Sequence, residues 1–147
     1  MDIDFAILAD GAEVAGEKLF VLGGGWTLIW TREMPATHRG SVSVGIRVGW
    51  QETNQRHSLG IEIRDADGNL VQEIARGEFE AGRPPGIKPG SDQLVMLAAN
   101  VDFKLETLGD FAVVIEVDGT EMKRLPYQVV RVNPAGQILP PGDQSAH

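Results

Sequence analysis

Ser41-Val42-Ser43-Val44-Gly45-Ile46-Arg47-Val48-Gly49-Trp50-Gln51 alternates without a break. Val42, Val44, Ile46, Val48 and Trp50 fall on one side, and Ser43, Gly45, Arg47 and Gly49 on the other. A period of two marks a half-buried strand whose apolar side, Trp50 included, faces a core. The same period recurs outward along the chain. Leu59, Ile61 and Ile63 alternate with Gly60, Glu62 and Arg64; Phe111, Val113, Ile115 and Val117 alternate with Ala112, Val114 and Glu116. Near the start, Ile3, Phe5 and Ile7 share a face, with Asp2 and Asp4 opposite.

Turn residues separate these runs. Asp65-Ala66-Asp67-Gly68-Asn69 and Asp118-Gly119 read as hairpin connections in which glycine supplies a positive φ. Gly11 to Lys18 and Thr31 to Gly40 read as longer connections. Arg83 to Gly90 is too rich in Pro and Gly for a helix or a central strand and reads as a crossover between sheets. Gln93 to Asn100 is too short and apolar for periodicity to separate a helical turn from a buried strand. The alternation of Val101 to Glu106 favours strand throughout. Pro126 puts the run Leu125 to Val132 at an edge or at a strand start.

These features predict an all-β chain, an antiparallel two-sheet β-sandwich of eight or nine strands with immunoglobulin-like or similar topology. The expected organisation is one sandwich domain over residues 1–132 and a Pro/Gly-rich, mobile or loosely docked tail over 133–147.

Val21-Leu22-Gly23-Gly24-Gly25-Trp26-Thr27-Leu28-Ile29-Trp30 invites a ligand-binding reading. Glycine-rich loops cradle phosphates where a helix follows, because the helix N-terminus aims free N–H groups at the anion. Here the alternation of Trp26, Leu28 and Trp30 with Thr27 and Ile29 predicts a strand instead, and no dinucleotide or P-loop spacing is present. The stretch reads as a bend or bulge. Trp26 and Trp30 fall on one face by this count, either packed in the core or a subunit interface, or exposed as a stacking platform. Gly24, Gly25, Trp26 and Trp30 are therefore the candidate ligand- or partner-binding residues.

The 147 residues carry a net charge of -8, with no cluster of Lys and Arg, which argues against nucleic-acid binding. No apolar run approaches the roughly 18 residues that span a bilayer, so no membrane insertion is expected. There is no cysteine, hence no disulfide, no thiolate nucleophile and no Cys-ligated metal. The acidic N-terminus has no signal-peptide pattern, and the expected location is the cytoplasm. No cofactor and no metal site is expected. His38, His57 and His147 lack metal-ligand spacing, and solvated or hydrogen-bonded side chains are the simple reading for His38 and His57. The Asp65–Asn69 stretch has Arg76 where a calcium loop needs its final glutamate, so it reads as a turn. Glu78 and Glu80 flank Phe79 on a solvated strand face rather than forming an acid–base pair. No nucleophile elbow appears.

Asp4-Phe5-Ala6-Ile7-Leu8-Ala9-Asp10 followed by Lys18-Leu19-Phe20-Val21-Leu22-Gly23-Gly24-Gly25-Trp26 resembles the opening of a family of small bacterial proteins known only as a domain of unknown function. Leu108-Gly109-Asp110-Phe111 through Asp118-Gly119 is similar to the same family's C-terminal hairpin, so the resemblance covers most of the chain. It implies a compact bacterial cytoplasmic protein and carries no catalytic or binding residues across.

The strand framework without a recognisable catalytic set favours a non-enzymatic protein-binding or assembly module, self-associating or with a protein partner. The Trp26–Trp30 strand and the Pro126 edge are the candidate contact edges. The alternatives are a small-molecule or carbohydrate binder on the tryptophans, and a cryptic hydrolase on unassigned carboxylates.

Overall fold

The computed structural model describes residues 1–140. Among these residues, ten strands form two sheets around one core. They are β1 (Asp2–Ala15), β2 (Lys18–Gly24), β3 (Leu28–Thr31), β4 (Ala36–Val48), β5 (Arg56–Asp65), β6 (Leu70–Glu80), β7 (Gln93–Leu105), β8 (Gly109–Val117), β9 (Thr120–Val132) and β10 (Ile138–Leu139). Sheet A has the order β2-β1-β4-β7; sheet B has the order β10-β9-β8-β5-β6, with β3 also paired to β9. The architecture is all-β and compatible with the expected two-sheet sandwich. One pairing departs from the antiparallel rule: β3 runs parallel to β9, Ile29 beside Val129.

The alternation in β4 positions the core. Val42, Val44, Ile46 and Val48 are fully buried and meet Ile61, Ile63, Val113 and Ile115 from sheet B. The other side of β4 is not solvated as the alternation suggests. Ser41 and Ser43 are also fully buried, with hydroxyls that find no hydrogen-bond partner among the described residues. Small residues there let their neighbours close over the strand. The Phe5 ring lies on Gly45 where a Cβ would stand, and Ile7 and Ala98 flank Ser43 in the register.

Trp50 does not extend the core face. β4 ends at Val48, the chain tightens into a single 3-10 turn at Trp50–Glu52, and the Trp50 ring lies 3.8 Å beneath the Arg83 guanidinium. A cation over an aromatic face is favourable and keeps the ring half-exposed.

The first connection is much shorter than the sequence suggests. β1 continues to Ala15 and returns through Gly16 and Glu17, both with positive φ (57° and 62°), as a two-residue turn. The connection after β3 is shorter too, since β4 begins at Ala36. The hairpins at Asp65–Asn69 and Asp118–Gly119, the crossover from β6 in sheet B to β7 in sheet A, and the strand at Gln93–Leu105 all lie where expected. The tail is partly docked: Asn133 and Gln137 close a turn, and Ile138 and Leu139 pair with Val132 and Arg131 of β9. The rest of the expected mobile tail, 141–147 with His147, lies outside the described residues.

Candidate interaction surface

Gly23-Gly24-Gly25 carries the chain out of sheet A and into sheet B. β2 ends at Gly24; Gly23 and Gly25 adopt φ of 60° and 93°, and the Gly25 N–H donates to the Leu8 carbonyl at 2.7 Å. Trp26 then turns into the space between the sheets, and Thr27 leads to β3. This is the bend that the sequence predicts, used as a crossover.

The two tryptophans do not share a face. The expected alternation fails because the crossover intervenes: Trp26 precedes β3 and packs on the core, while in β3 the buried residue is Ile29 and Trp30 is 63% exposed. Trp26 meets His38, Phe103 and Tyr127 edge-on, with ring centroids 5.3, 5.8 and 6.3 Å away. It also abuts Gly40, the point in β4 where a Cβ would stand 3.1 Å from Phe103 and 3.3 Å from Trp26. Trp26 Nε1 and His38 Nε2 are buried without a hydrogen-bond partner among the described residues, although the His38 side chain is half-exposed. Burial pushes the His38 pKa down, and the Asp10 charge partly restores it. His38 stands within β4, not in a loop.

Beyond Ala9 the two halves of sheet A part. β1 pairs with β4 only up to Ala9 opposite Ser41, whereas β4 and β7 stay paired to Ala36 opposite Leu105. The distal part of β1 keeps β2 as its ladder partner and overhangs the outer face of sheet A. One side chain holds it there. Asn100, opposite Ser41 in the register, accepts from the Ala12 N–H at 3.1 Å and donates to the Ala12 carbonyl at 2.8 Å. The result is a two-stranded arm with apolar side chains in solvent: Phe20 is 57% and Leu22 75% exposed, and Val14 and Val21 are also open. Gly11, Ala12, Glu13, Phe20, Val21 and Leu22 line a shallow groove on it. Sequence reasoning missed this arm. Its signal was the run Leu19 to Leu22, apolar at every position and hence without a solvated face.

The outer faces of the two sheets differ in kind. Sheet B is laced with ion pairs, including Arg64–Glu62 at 2.6 Å, Arg76–Glu73 at 2.7 Å and Arg124–Glu121 at 2.8 Å. It turns apolar at one end, where Trp30, Val132, Gly136 and Ile138 border a cleft of ≈ 220 Å³ with Arg32. Sheet A has the half-buried Phe5, Ile7, Met96 and Ala98 around its two buried serines, and its arginine Arg47 is neutralised by Asp4 at 3.0 Å.

The polar clusters have structural employment. His57 is buried, donating from Nδ1 to Asp118 at 2.8 Å and from Nε2 to the Glu52 carbonyl at 2.8 Å. The Glu52 carbonyl, and then Asp118, raise its pKa against the effect of burial. Both ring nitrogens are thus engaged within the fold. Asp65 Oδ1 accepts from the Asn69 and Asp67 N–H groups of its own turn, which lowers its pKa and commits that oxygen to the turn. Glu78 pairs with Arg56 at 3.4 Å on the solvated face expected of it. Among the described residues, no group of three His, Asp or Glu side chains is placed to hold a metal ion, and no helix is long and apolar enough to cross a membrane.

No curated protein matches the chain. A family model matches residues 4–130, from the first strand to the Trp30-facing part of β9. By that match over most of its length, the chain belongs to the family of unknown function DUF6941.

Proposed function

We propose that this protein is a non-enzymatic assembly module that binds another protein chain through the β1–β2 arm. The observation that carries the reading is the arm itself: Phe20 and Leu22 stand in solvent on a ribbon held away from the core. A two-stranded ribbon is marginal in water, and apolar side chains exposed on it are stabilised when a partner covers them. The ion-pair lattice on sheet B provides a contrast within the same molecule, since that face is built for solvent. The acidic, cysteine-free composition supports a bacterial cytoplasmic setting.

Native mass spectrometry of protein purified gently from its own host tests this. The expected mass exceeds that of one 15.9 kDa chain, and the Phe20→Asp/Leu22→Asp double variant, still folded by circular dichroism, returns to a single chain. A bare single chain at high concentration and from the host overturns the reading.

A second reading rests on the cleft beside Trp30, where an exposed indole stands next to Arg32 and Ile138. A sugar or other small molecule stacked there would change the fluorescence of Trp30 and lose that change in Trp30→Ala. Flat titrations across a broad panel of sugars remove it.

A further inference from the structure

We infer that the partner of the arm is the arm of a second copy, with β2 pairing antiparallel to β2 about a two-fold axis through Val21; this rests on the assembly reading above. The first argument is the state of the sheet edges. Natural proteins protect open edges with proline, charge, bulges, short strands or covering side chains. β3 is four residues long. The free stretch of β9 carries Pro126 with Glu121, Lys123 and Arg124. β6 is charged at Glu73, Arg76, Glu78 and Glu80, and is bulged against β5. β7 is tied down by Gln72, which donates to the Asp102 carbonyl at 2.9 Å and accepts from the Lys104 N–H at 3.0 Å. Among the edges of four or more described residues, the first half of β7, around Met96, competes with β2, and its side chains are half-buried except for Leu94 and Asn100. β2 has no proline, one charge at its first residue, and every residue except Leu19 exposed.

The second argument is which way the backbone of β2 points. Ala12 gives both its N–H and its carbonyl to Asn100, so it does not exchange bonds with Val21, its opposite residue on β2. In an antiparallel ladder such a pair turns its backbone groups outward on both strands. The Val21 N–H and carbonyl therefore face the free edge, as do those of Leu19. A second β2 in the register that overlays Phe20–Leu22 would place Val21 opposite Val21, exchanging both bonds across the axis, with Gly23, at a φ of 60°, ending the extended stretch. Phe20 then lies opposite Leu22 of the second copy, at the close, non-hydrogen-bonded positions where side chains pack best. Lys18, the charge on the strand, falls opposite Gly24, so no like charges meet. A strand that matches itself at the backbone, the apolar ladder and the charge is suited to an isologous contact. The two copies of sheet A would then run on as one sheet.

The test uses the full chain in sedimentation equilibrium over a wide concentration range, with three variants. Val21→Pro removes the N–H that points outward and leaves the β1–β2 ladder its own bonds. Met96→Pro does the same to the competing edge on β7. Val21→Cys places the chain's single thiol on the axis, where opposed Cα atoms about 5.5 Å apart suit a disulfide. The expected result is a concentration-dependent dimer of the native chain, abolished by Val21→Pro with an unchanged circular dichroism spectrum, retained in Met96→Pro, and trapped covalently by mild oxidation of Val21→Cys. A dimer that survives Val21→Pro, or that is lost only in Met96→Pro, overturns the β2 pairing and leaves the assembly reading standing. A monomer throughout overturns the β2 pairing; the assembly reading falls with it only if host-purified protein also carries no partner.

Discussion

Replacing Asn100 by alanine isolates the force that holds the arm in place. The substitution deletes both bonds to Ala12, at 3.1 and 2.8 Å. The site is exposed, so water takes over the freed groups and each bond contributes a net of about 0.5–1.5 kcal/mol. The pair is then worth about 1–3 kcal/mol, a factor of roughly 5–150 in a local opening equilibrium. Almost all of that falls on the arm, because β1 leaves β4 at Ala9, before the bonds in question. Amide hydrogen exchange by NMR reads it site by site, on the Val21→Pro background so that self-association does not contribute. The register makes the Glu13 and Phe20 amides reporters of the β1–β2 ladder, and Val44 and Val113 reporters of the core. Glu13 and Phe20 should lose protection by the factor above while Val44 and Val113 stay within error. Equal loss at all four amides would show that Asn100 supports the whole sandwich; no loss at Glu13 and Phe20 would show that the arm is held by something else. Either result refutes the account of a separately hinged ribbon.

Three further outcomes follow from the geometry. His57 has a pKa raised above 6.5 and Asp118 one lowered below 3.8. The histidine contribution is full below its unfolded pKa and fades as pH rises through the folded value, and the aspartate contribution is full above its unfolded pKa and fades as pH falls. His57→Gln should therefore lose about 2 kcal/mol between roughly pH 4 and 6.5, and less in alkaline solution, in urea titrations repeated across pH; a pH-independent loss would remove the charged pairing. Gly45→Ala forces the Phe5 ring off β4, and should destabilise by about 1–3 kcal/mol in the same assay, with an unchanged midpoint counting against the close contact. Gln72→Ala uncovers the β7 backbone at Asp102 and Lys104. It should lower stability by about 1–2 kcal/mol and raise light scattering on mild heating; scattering equal to the native chain would deny Gln72 its role as an edge cover.

What the sequence showed and what it hid divide along one physical line. Period two is legible wherever the core side of a strand is apolar and the other side carries polar or small residues, as in β5 with Gly60, Glu62 and Arg64 opposite its core residues, and glycine turns are legible wherever positive φ is demanded of them. The Asp118–Gly119 hairpin is such a case. The arm satisfies neither condition. Its strands touch no core beyond Ala9, and its turn pairs Gly16 with Glu17, a residue without turn character, at positive φ. β4 misled in the opposite sense, because Ser41 and Ser43 look like surface residues until the apolar neighbours on β1 and β7 close over them. The tryptophans were misassigned because a periodicity count runs through a change of sheet as if the strand continued. Of the candidate site residues, Gly24, Gly25 and Trp26 form the crossover, and Trp30 stands apart on sheet B.

The glycine–tryptophan stretch and the arm are parts of one construction. Gly25 binds the Leu8 carbonyl, one residue before β1 separates from β4, and Trp26 enters between the sheets against Gly40. The indole fills the inner position that a continuing β1 side chain would otherwise take beside β4. Once Trp26 is seated, the rest of β1 has no place over the core and must leave sheet A on its outer side, where Asn100 receives it. Completing the core and presenting the arm are thus the same event. That coupling explains how a chain can keep Phe20 and Leu22 in solvent without loosening its interior: burial of Trp26, Phe103 and Tyr127 stabilises the geometry that exposes them. A substitution such as Trp26→Ala should accordingly disturb both, lowering stability by about 3 kcal/mol or more and also weakening any association through β2. A variant that lost stability but kept full association would break the link between the two.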